Sequence, residues 1–175
     1  WGPNPQSQIV TFPLNQGRDT FIFATTAQDS WHEESWTSAG DADELRRHYQ
    51  DSHPDARALL DACSDVLKTA LYERDPLTAW SLGPMTLVGD ACHPMMPFMA
   101  QGAGMAIEDG VVLARNLAGV AAPAQVAAAL HRYETMRMER ASQIQVGSRG
   151  NNWLRSGGNA DWVYGYDAWS VPLPV

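Results

Sequence analysis

Residues 87–109 read LVGDACHPMMPFMAQGAGMAIED, and this stretch indicates the fold. A short apolar run ends at Gly89 and Asp90, a proline-rich loop follows, and Gln101 to Gly104 then open a helix. A carboxylate at the end of a strand can accept hydrogen bonds from hydroxyl groups. The free N–H groups and the positive dipole end of a helix N-terminus favour an anionic group. The stretch is therefore suited to a polar, partly anionic ligand.

The bulk composition excludes several classes of protein. A chain of 175 residues is one domain or part of a larger one, and 45% hydrophobic residues are enough for a core. The net charge of −8, without any basic run, argues against a nucleic-acid or anionic membrane surface. No apolar run approaches the roughly 20 residues of a membrane span, and no signal peptide is seen. We expect a cytoplasmic protein.

The cysteines and histidines indicate neither a disulfide nor a metal site. Cys63 and Cys92 lie far apart in different kinds of segment, so we expect free thiols. The five histidines show no metal-ligand spacing with cysteines or carboxylates. We therefore expect no bound metal.

The chain pattern predicts a mixture of strands and helices, of class α/β. Strands are predicted at 8–14 and 20–26 with a hairpin loop at 15–18, weakly at 67–72, and as a buried strand at 85–88. Asp41, with Glu44 three residues on, predicts a helix start that runs to about residue 50. Pro54 opens a second helix, and two longer helices are predicted at 103–117 and about 124–146.

Apolar spacing also predicts which side of each helix is buried. In the second helix these residues are Ala58, Leu59 and Ala62. In the third they are Ile107, Gly110, Val111, Ala114, Leu117 and Ala118, and in the fourth Val126, Leu130, Tyr133 and Ile144. On the fourth helix Arg137 and Arg140 are interpreted as a face that forms salt bridges.

The stretch 87–109 closely resembles the second FAD-binding motif of the single-component, FAD-dependent aromatic hydroxylases. It matches the pattern G-D-A-x-H-P-x-x-P-x-x-x-Q-G-x-x-x-x-x-E-D from Gly89 to Asp109. The segment ADWVYGYDAW at 160–169 resembles the end of the branch that includes salicylate hydroxylase and 6-hydroxynicotinate 3-monooxygenase. The resemblance covers essentially the whole chain. It implies the last elements of an FAD domain, part of a β-sheet substrate domain, and C-terminal helices.

The resemblance implies roles for residues in the motif. Asp90 would accept hydrogen bonds from the ribityl chain of FAD, and Pro97 would line the isoalloxazine ring. The backbone N–H groups near Gly102, Ala103 and Gly104 would face flavin N1 and C2=O, where reduced flavin is negatively charged. His93 and Pro97 are the candidates for a catalytic role, although His93 in this family looks structural.

The resemblance implies a reaction as well as a cofactor. NADH or NADPH would reduce FAD, and a flavin hydroperoxide formed with O₂ would hydroxylate a small aromatic substrate, salicylate-like or 6-hydroxynicotinate-like. Gln8 stands where the branch often has a histidine, and with Phe23 and Thr25 it is our candidate for substrate contact. Two alternatives stay open: a flavin oxidase or reductase of this fold acting on a non-aromatic substrate, and a non-catalytic remnant of a split gene.

The start of the chain bears on its domain organisation. The sequence begins at Trp1 without an initiator methionine, and the G-x-G-x-x-G turn of a complete hydroxylase is not present. We interpret the chain as a C-terminal part whose partner is an upstream FAD-binding half, and we expect it to be inactive alone. The predicted parts are a partial substrate domain at 1–80, the FAD-domain motif and helix at 81–120, and a long helix with an aromatic tail at 121–175. A homodimer is one candidate assembly.

Overall fold

The computed structural model describes residues 7–33, 35–150 and 160–174. The chain divides into two compact units, Trp1–Leu71 and Tyr72–Val175. Both units combine helices with short strands, as the sequence predicted. The finer division at residues 80 and 120 stays a prediction. Within the described ranges, no helix combines the length and the apolar character that crossing a membrane requires.

The first unit begins with a β-hairpin. Strand β1, Ile9–Leu14, pairs antiparallel with strand β2, Asp19–Ala24. The connecting 3-10 turn, Asn15–Gly17, has positive φ angles at all three residues, a conformation that asparagine and glycine adopt at low cost. Phe12 lies opposite Phe21, and their stacked rings lie 4.8 Å apart. The predicted hairpin is confirmed, with strand ends that differ by one or two residues.

Two short helices complete the core of this unit. Helix α1, Ala42–His48, begins after Asp41, whose side chain accepts a hydrogen bond from Asp43 N at 2.8 Å. Helix α2, Pro54–Asp61, has the predicted proline in its first turn. The core residues of the unit are Ile9, Tyr49, Ala56 and Leu60.

The predicted buried side of α2 was wrong. Ala58 and Ala62 are exposed and Leu59 is half-buried, whereas Ala56 and Leu60 are fully buried. These two residues are spaced i, i+4 and lie on one face of the helix. In a helix of only eight residues several apolar faces fit the sequence equally well, and tertiary packing selects one of them.

The weak strand predicted at 67–72 is also absent from the described structure. Leu67 forms one isolated antiparallel bridge with Ala39, and its side chain is 69% exposed. Lys68 Nζ forms a salt bridge with Glu44 at 2.7 Å. The alternation of polar and apolar residues at 67–72 therefore belongs to a segment that forms one isolated bridge and no strand.

The second unit begins with a very short hairpin. Strand β3, Ser81–Leu82, pairs antiparallel with β4, Met85–Thr86, and the chain then turns through the 3-10 helix Gly89–Ala91. Met85 is 64% exposed, and Leu87 and Val88 are exposed as well. The prediction of a buried strand at 85–88 was therefore wrong. The strand observed is only Met85–Thr86, and within the described residues it pairs with β3 alone.

Two long helices pack against each other in the second unit and are its longest elements in the described ranges. Helix α3 is Gly102–Leu117. The 3-10 turn Pro123–Gln125 leads into helix α4, Val126–Gly147, and the short helix α5 is Ala160–Tyr164. Both long helices were predicted to within two residues. On α4 the expected buried residues Leu130, Tyr133 and Ile144 are buried, and Val126 is half-buried.

The buried face of α3 differs from the predicted one. Ile107 is 68% exposed, and Gly110, Ala114 and Ala118 are exposed too. The buried residues are Met105, Asp109, Val112 and Asn116. Two of these four side chains are polar, so a count of apolar positions could not identify the face. Burial of polar groups is stable only when partners satisfy them, and those partners come from distant segments.

Candidate functional site

The turn at Gly89 brings the beginning of the 87–109 motif against helix α3. Gly89 has a φ of +61°, and a Cβ built there would lie 3.1 Å from the Cβ of Ala106. A side chain at this position would be both strained and crowded. Glycine therefore allows the 3-10 turn to lie directly on the second turn of α3, which leaves Asp90 exposed beside it.

Two open sets of hydrogen-bonding groups result. Asp90 is exposed, and none of the hydrogen bonds or ion pairs found among the described residues engages its carboxylate. Gln101, which precedes α3, makes no side-chain cap, so the N–H groups of Gly102, Ala103 and Gly104 have no capping acceptor. The site thus offers an acceptor for hydroxyl groups and a row of donors with positive dipole. These residues fit the polar, partly anionic ligand that the sequence indicated.

The proline-rich loop between these groups is held by helix α4. Gln145 Nε2 donates to the carbonyl of Pro94 at 3.0 Å, and Met96 N donates to Ser148 Oγ at 3.0 Å. Pro97 remains exposed at the start of the 3-10 turn Pro97–Met99. The sequence reasoning missed Gln145 and Ser148, because they lie about 50 residues further along the chain and belong to no motif.

A buried network of charged groups lies behind the loop. Asp109 Oδ1 accepts from Arg137 Nε at 2.8 Å, and Asp109 Oδ2 accepts from His93 Nε2 at 2.6 Å and from Gly89 N at 3.1 Å. Burial raises the pKa of Asp109, but the hydrogen bonds from His93 and Arg137 outweigh it, so the pKa is lowered overall. The Asp109 carboxyl is therefore ionised, and all three contacts are charge-assisted.

The network continues to the C-terminal segment. Glu108 accepts from Arg140 Nε and Nη2, both at 2.9 Å, and it lies 2.8 Å from Arg137 Nη1. Arg140 also donates to the carbonyls of Trp162 and Val163, each at 2.8 Å. The prediction that Arg137 and Arg140 form a salt-bridging face is confirmed. The adjacent acidic pair in the motif was the available signal for this network.

Cys92, His93 and Asp109 also bring three potential metal-ligand atoms within 4.8 Å of one another. Their contacts are those of a hydrogen-bond network. The 2.6 Å separation of His93 Nε2 from Asp109 Oδ2 is a hydrogen-bond distance, and the thiol of Cys92 donates to Gly89 O at 3.3 Å. Burial raises the pKa of Cys92 to about 12, so this free thiol is not a thiolate ligand at neutral pH.

The residues proposed for substrate contact lie at one end of the hairpin in the first unit. Thr25 N donates to Gln8 O at 2.9 Å, and Gln8 N donates to Thr25 Oγ1 at 3.1 Å. Tyr49 Oη donates to the carbonyls of both residues, and burial raises its pKa to about 12. Phe23 is half-buried and lies opposite Val10. Thr25 is buried, so its hydroxyl supports the hairpin end.

Comparison with known proteins gives a consistent result. The model of a family described as FAD binding domain matches residues 1–148. The chain is 41% identical over 175 residues to 6-hydroxynicotinate 3-monooxygenase of Pseudomonas fluorescens, which covers 99% of this chain and 45% of the relative. A salicylate hydroxylase solved as a substrate complex matches with a TM-score of 0.82 and 25% identity, over 94% of this chain and 46% of that one.

A solved structure of CtdE in complex with FAD also matches. Its TM-score is 0.72 and its identity 25%, over 92% of this chain and 42% of that chain. In each of these comparisons the chain spans less than half the length of the protein that it matches.

Proposed function

Because the chain belongs to the family of FAD binding domains, we propose that residues 87–104 form one side of an FAD site in an aromatic-ring monooxygenase. One observation carries the proposal: Asp90 follows Gly89, which packs on Ala106 in the second turn of α3, and both the Asp90 carboxylate and the N-terminus of α3 are open. A carboxylate suits the hydroxyl groups of a ribityl chain. The helix N-terminus suits the part of the flavin ring that becomes negative on reduction.

The residues of this chain would bind and orient the cofactor, which supplies the redox chemistry. Asp90 would accept hydrogen bonds from the ribityl hydroxyls. The N–H groups of Gly102, Ala103 and Gly104 would stabilise negative charge at flavin N1 and C2=O by about 0.3–2 kcal/mol. Pro97, exposed on a loop that α4 holds, would lie against the ring and exclude water from it.

The proposed reaction hydroxylates a small aromatic acid. An aromatic substrate, O₂, NADH or NADPH and a proton would give the hydroxylated product, NAD⁺ or NADP⁺ and water. The similarity to 6-hydroxynicotinate 3-monooxygenase and to salicylate hydroxylase supports this substrate class. We propose Gln8 and Phe23 as substrate contacts. Gln8 can donate and accept hydrogen bonds but cannot exchange a proton near neutral pH.

His93 is proposed to act through structure rather than through proton transfer to substrate. It is 1% exposed, and its Nε2 is engaged by Asp109. A general acid or base must come within hydrogen-bond reach of the reacting group. A buried imidazole bound to an ionised carboxylate does not meet that condition.

The test uses the complete gene product beside the 175-residue chain. We expect the complete product to be yellow, and to oxidise NADH or NADPH faster when 6-hydroxynicotinate or salicylate is added, with a hydroxylated product by mass spectrometry. We expect the 175-residue chain alone to be colourless and inactive. NADH oxidation that needs no aromatic compound would support an oxidase or reductase instead, and a colourless complete product would refute the flavin site.

The change D90A separates binding from folding. Asp90 has no partner among the described residues, so we expect the unfolding free energy of D90A to stay within about 0.5 kcal/mol of wild type, as for other exposed sites. FAD should nevertheless bind more weakly, by roughly tenfold for a lost charge-assisted hydrogen bond. E139A, an exposed carboxylate on α4, is the control and should leave FAD binding unchanged.

A further inference from the structure

Asp109 contacts both the turn that leads to Asp90 and the start of the loop that carries Pro97, although its own side chain does not reach the surface. Its side chain is fully buried, yet it contacts the backbone of Gly89 and the ring of His93. Gly89 immediately precedes Asp90, and His93 immediately precedes Pro94. One carboxylate therefore restrains both the residue that would meet the ribityl chain and the loop that would meet the flavin ring.

The charges around Asp109 determine the tautomer and the orientation of the His93 ring. Two carboxylates, Asp109 and Glu108, face two guanidinium groups, Arg137 and Arg140, so the cluster is balanced. An ionised carboxylate only accepts hydrogen bonds. His93 must therefore carry its proton on Nε2, and the ring has one favoured orientation.

The other side of the His93 ring adds no competing hydrogen bond. Nδ1 has no hydrogen-bond partner among the described residues, and the ring lies against Trp80 with centroids 5.4 Å apart. The bond to Asp109 is thus the one polar restraint on this side chain within the described structure. Loss of that bond would leave the ring held by packing alone.

We propose that Asp109 is a positioning residue for the flavin site, acting through Gly89 and His93 on Asp90 and the 94–97 loop. This inference rests on the proposed function. Arg137 keeps the carboxylate ionised and in place, and burial strengthens each contact because the local dielectric constant is low. A displaced carboxylate would change the affinity and the electrostatic environment of the flavin, not only the stability of the fold.

Four variants of the complete gene product test this inference: H93L, H93Q, D109N and E108Q. Leucine fills the volume of the imidazole without a donor, whereas the glutamine amide can still donate to Asp109. D109N removes the charge. E108Q alters the neighbouring carboxylate, which binds the same Arg137 but touches neither Gly89 nor His93. It is therefore the matched control for a loss of structure alone.

The readouts are the Kd of the apoprotein for FAD, the midpoint potential of the bound flavin and the melting temperature. We expect H93L and D109N to raise the Kd for FAD by roughly tenfold, the usual scale for a lost hydrogen bond to a charged group. Both should also make the flavin midpoint potential differ from that of wild type. H93Q and E108Q should stay close to wild type in both readouts, although E108Q lowers the melting temperature.

Two outcomes would overturn the inference. One is wild-type Kd and potential in H93L and D109N; the other is a change in E108Q as large as in D109N, which would indicate a general structural effect. Should D109N fail to fold, the pair H93L and H93Q decides alone, and equal behaviour of these two would refute the proposal. Failure of the wild-type protein to bind FAD would instead refute the proposed function.

Discussion

Gly89 is the residue whose backbone most directly determines where Asp90 lies. Its φ is +61°, and a Cβ added there would lie 3.1 Å from the Cβ of Ala106, so a larger residue would meet two separate costs. We expect G89A to lower the free energy of unfolding by about 1–2 kcal/mol for the left-handed backbone and by about 1–3 kcal/mol more for crowding. Chemical denaturation followed by tryptophan fluorescence measures the sum of the two losses.

G83A is the matched control for that change. Gly83 also has a positive φ, +57°, but a Cβ there would meet nothing within 4 Å. Only the backbone cost should appear in G83A. Equal losses in the two variants would show that the contact with Ala106 relaxes at little cost, and that Gly89 is required for its φ alone.

Asp109 gives the stability of the protein a defined dependence on pH. Despite burial, its hydrogen bonds from His93 and Arg137 lower its pKa in the folded chain below the ordinary value of 3.8. A lowered pKa means that the ionised carboxylate contributes stability above the pKa of the unfolded chain, and that this contribution disappears as the pH falls through the folded pKa.

We therefore expect D109N to be less stable than wild type by about 3 kcal/mol near neutral pH, since it removes one of the two carboxylates that pair with the buried Arg137 charge. The difference between the two proteins should narrow as the pH falls from 3.8 through the lowered pKa of folded Asp109, below which the wild-type carboxyl is neutral too. Urea denaturation of both proteins at a series of pH values measures it. A difference that stays constant down to the acid limit would contradict the lowered pKa.

The sequence indicated the exposed half of the candidate site more readily than the buried half. Asp90 and the glycines of α3 belong to a short motif with a clear physical reason. Asp109 belongs to the same motif, but its role depends on Arg137, which lies 28 residues further along the chain. No local pattern specifies that the two meet, and the apolar spacing that predicted the buried side of α3 did not include Asp109.

Helices and strands with strong local signals were predictable at the scale of whole elements. The hairpin turn at 15–17, the cap at Asp41 and the proline of α2 depend on neighbours within a few residues. The segments 67–72 and 85–88 lacked such signals, and their alternation or apolar character could equally describe exposed chain. Whether such a segment pairs is determined by other strands.

Arg140 attaches the short helix α5 to helix α4. Its guanidinium group donates to the carbonyls of Trp162 and Val163 and lies 4.3 Å from the ring of Tyr166. Lysine cannot reproduce this fork of donors. In R140K we expect amide hydrogen exchange at 160–166 to accelerate by about tenfold or more, which corresponds to about 1.4 kcal/mol of local stability.

R115K provides the comparison along the same segment. Arg115 donates to the carbonyls of Ala168 and Val171 at 2.7 and 2.8 Å. Faster exchange in R115K should therefore be confined to about residues 168–171. If both variants accelerated exchange over the whole of 160–171, the segment would be one cooperative unit and the two arginines would not act separately.

Each of the two compact units has its own hydrophobic core. The cluster around Leu60 draws all its members from residues 9–60, whereas the cluster around Ile144 draws its members from residues 95–163. Both side chains are almost completely buried. Separate cores give each unit its own source of stability, because burial of apolar area is the main favourable contribution to folding.

We expect L60A and I144A each to cost about 2–5 kcal/mol, the usual range for a large buried side chain reduced to alanine. The loss should be local: faster hydrogen exchange in peptides from 7–71 for L60A and in peptides from 72–175 for I144A. Each variant is the control for the other, as both remove a similar volume. Accelerated exchange across both units in either variant would mean that the chain unfolds as a single cooperative body, and the two cores would then not be independent sources of stability.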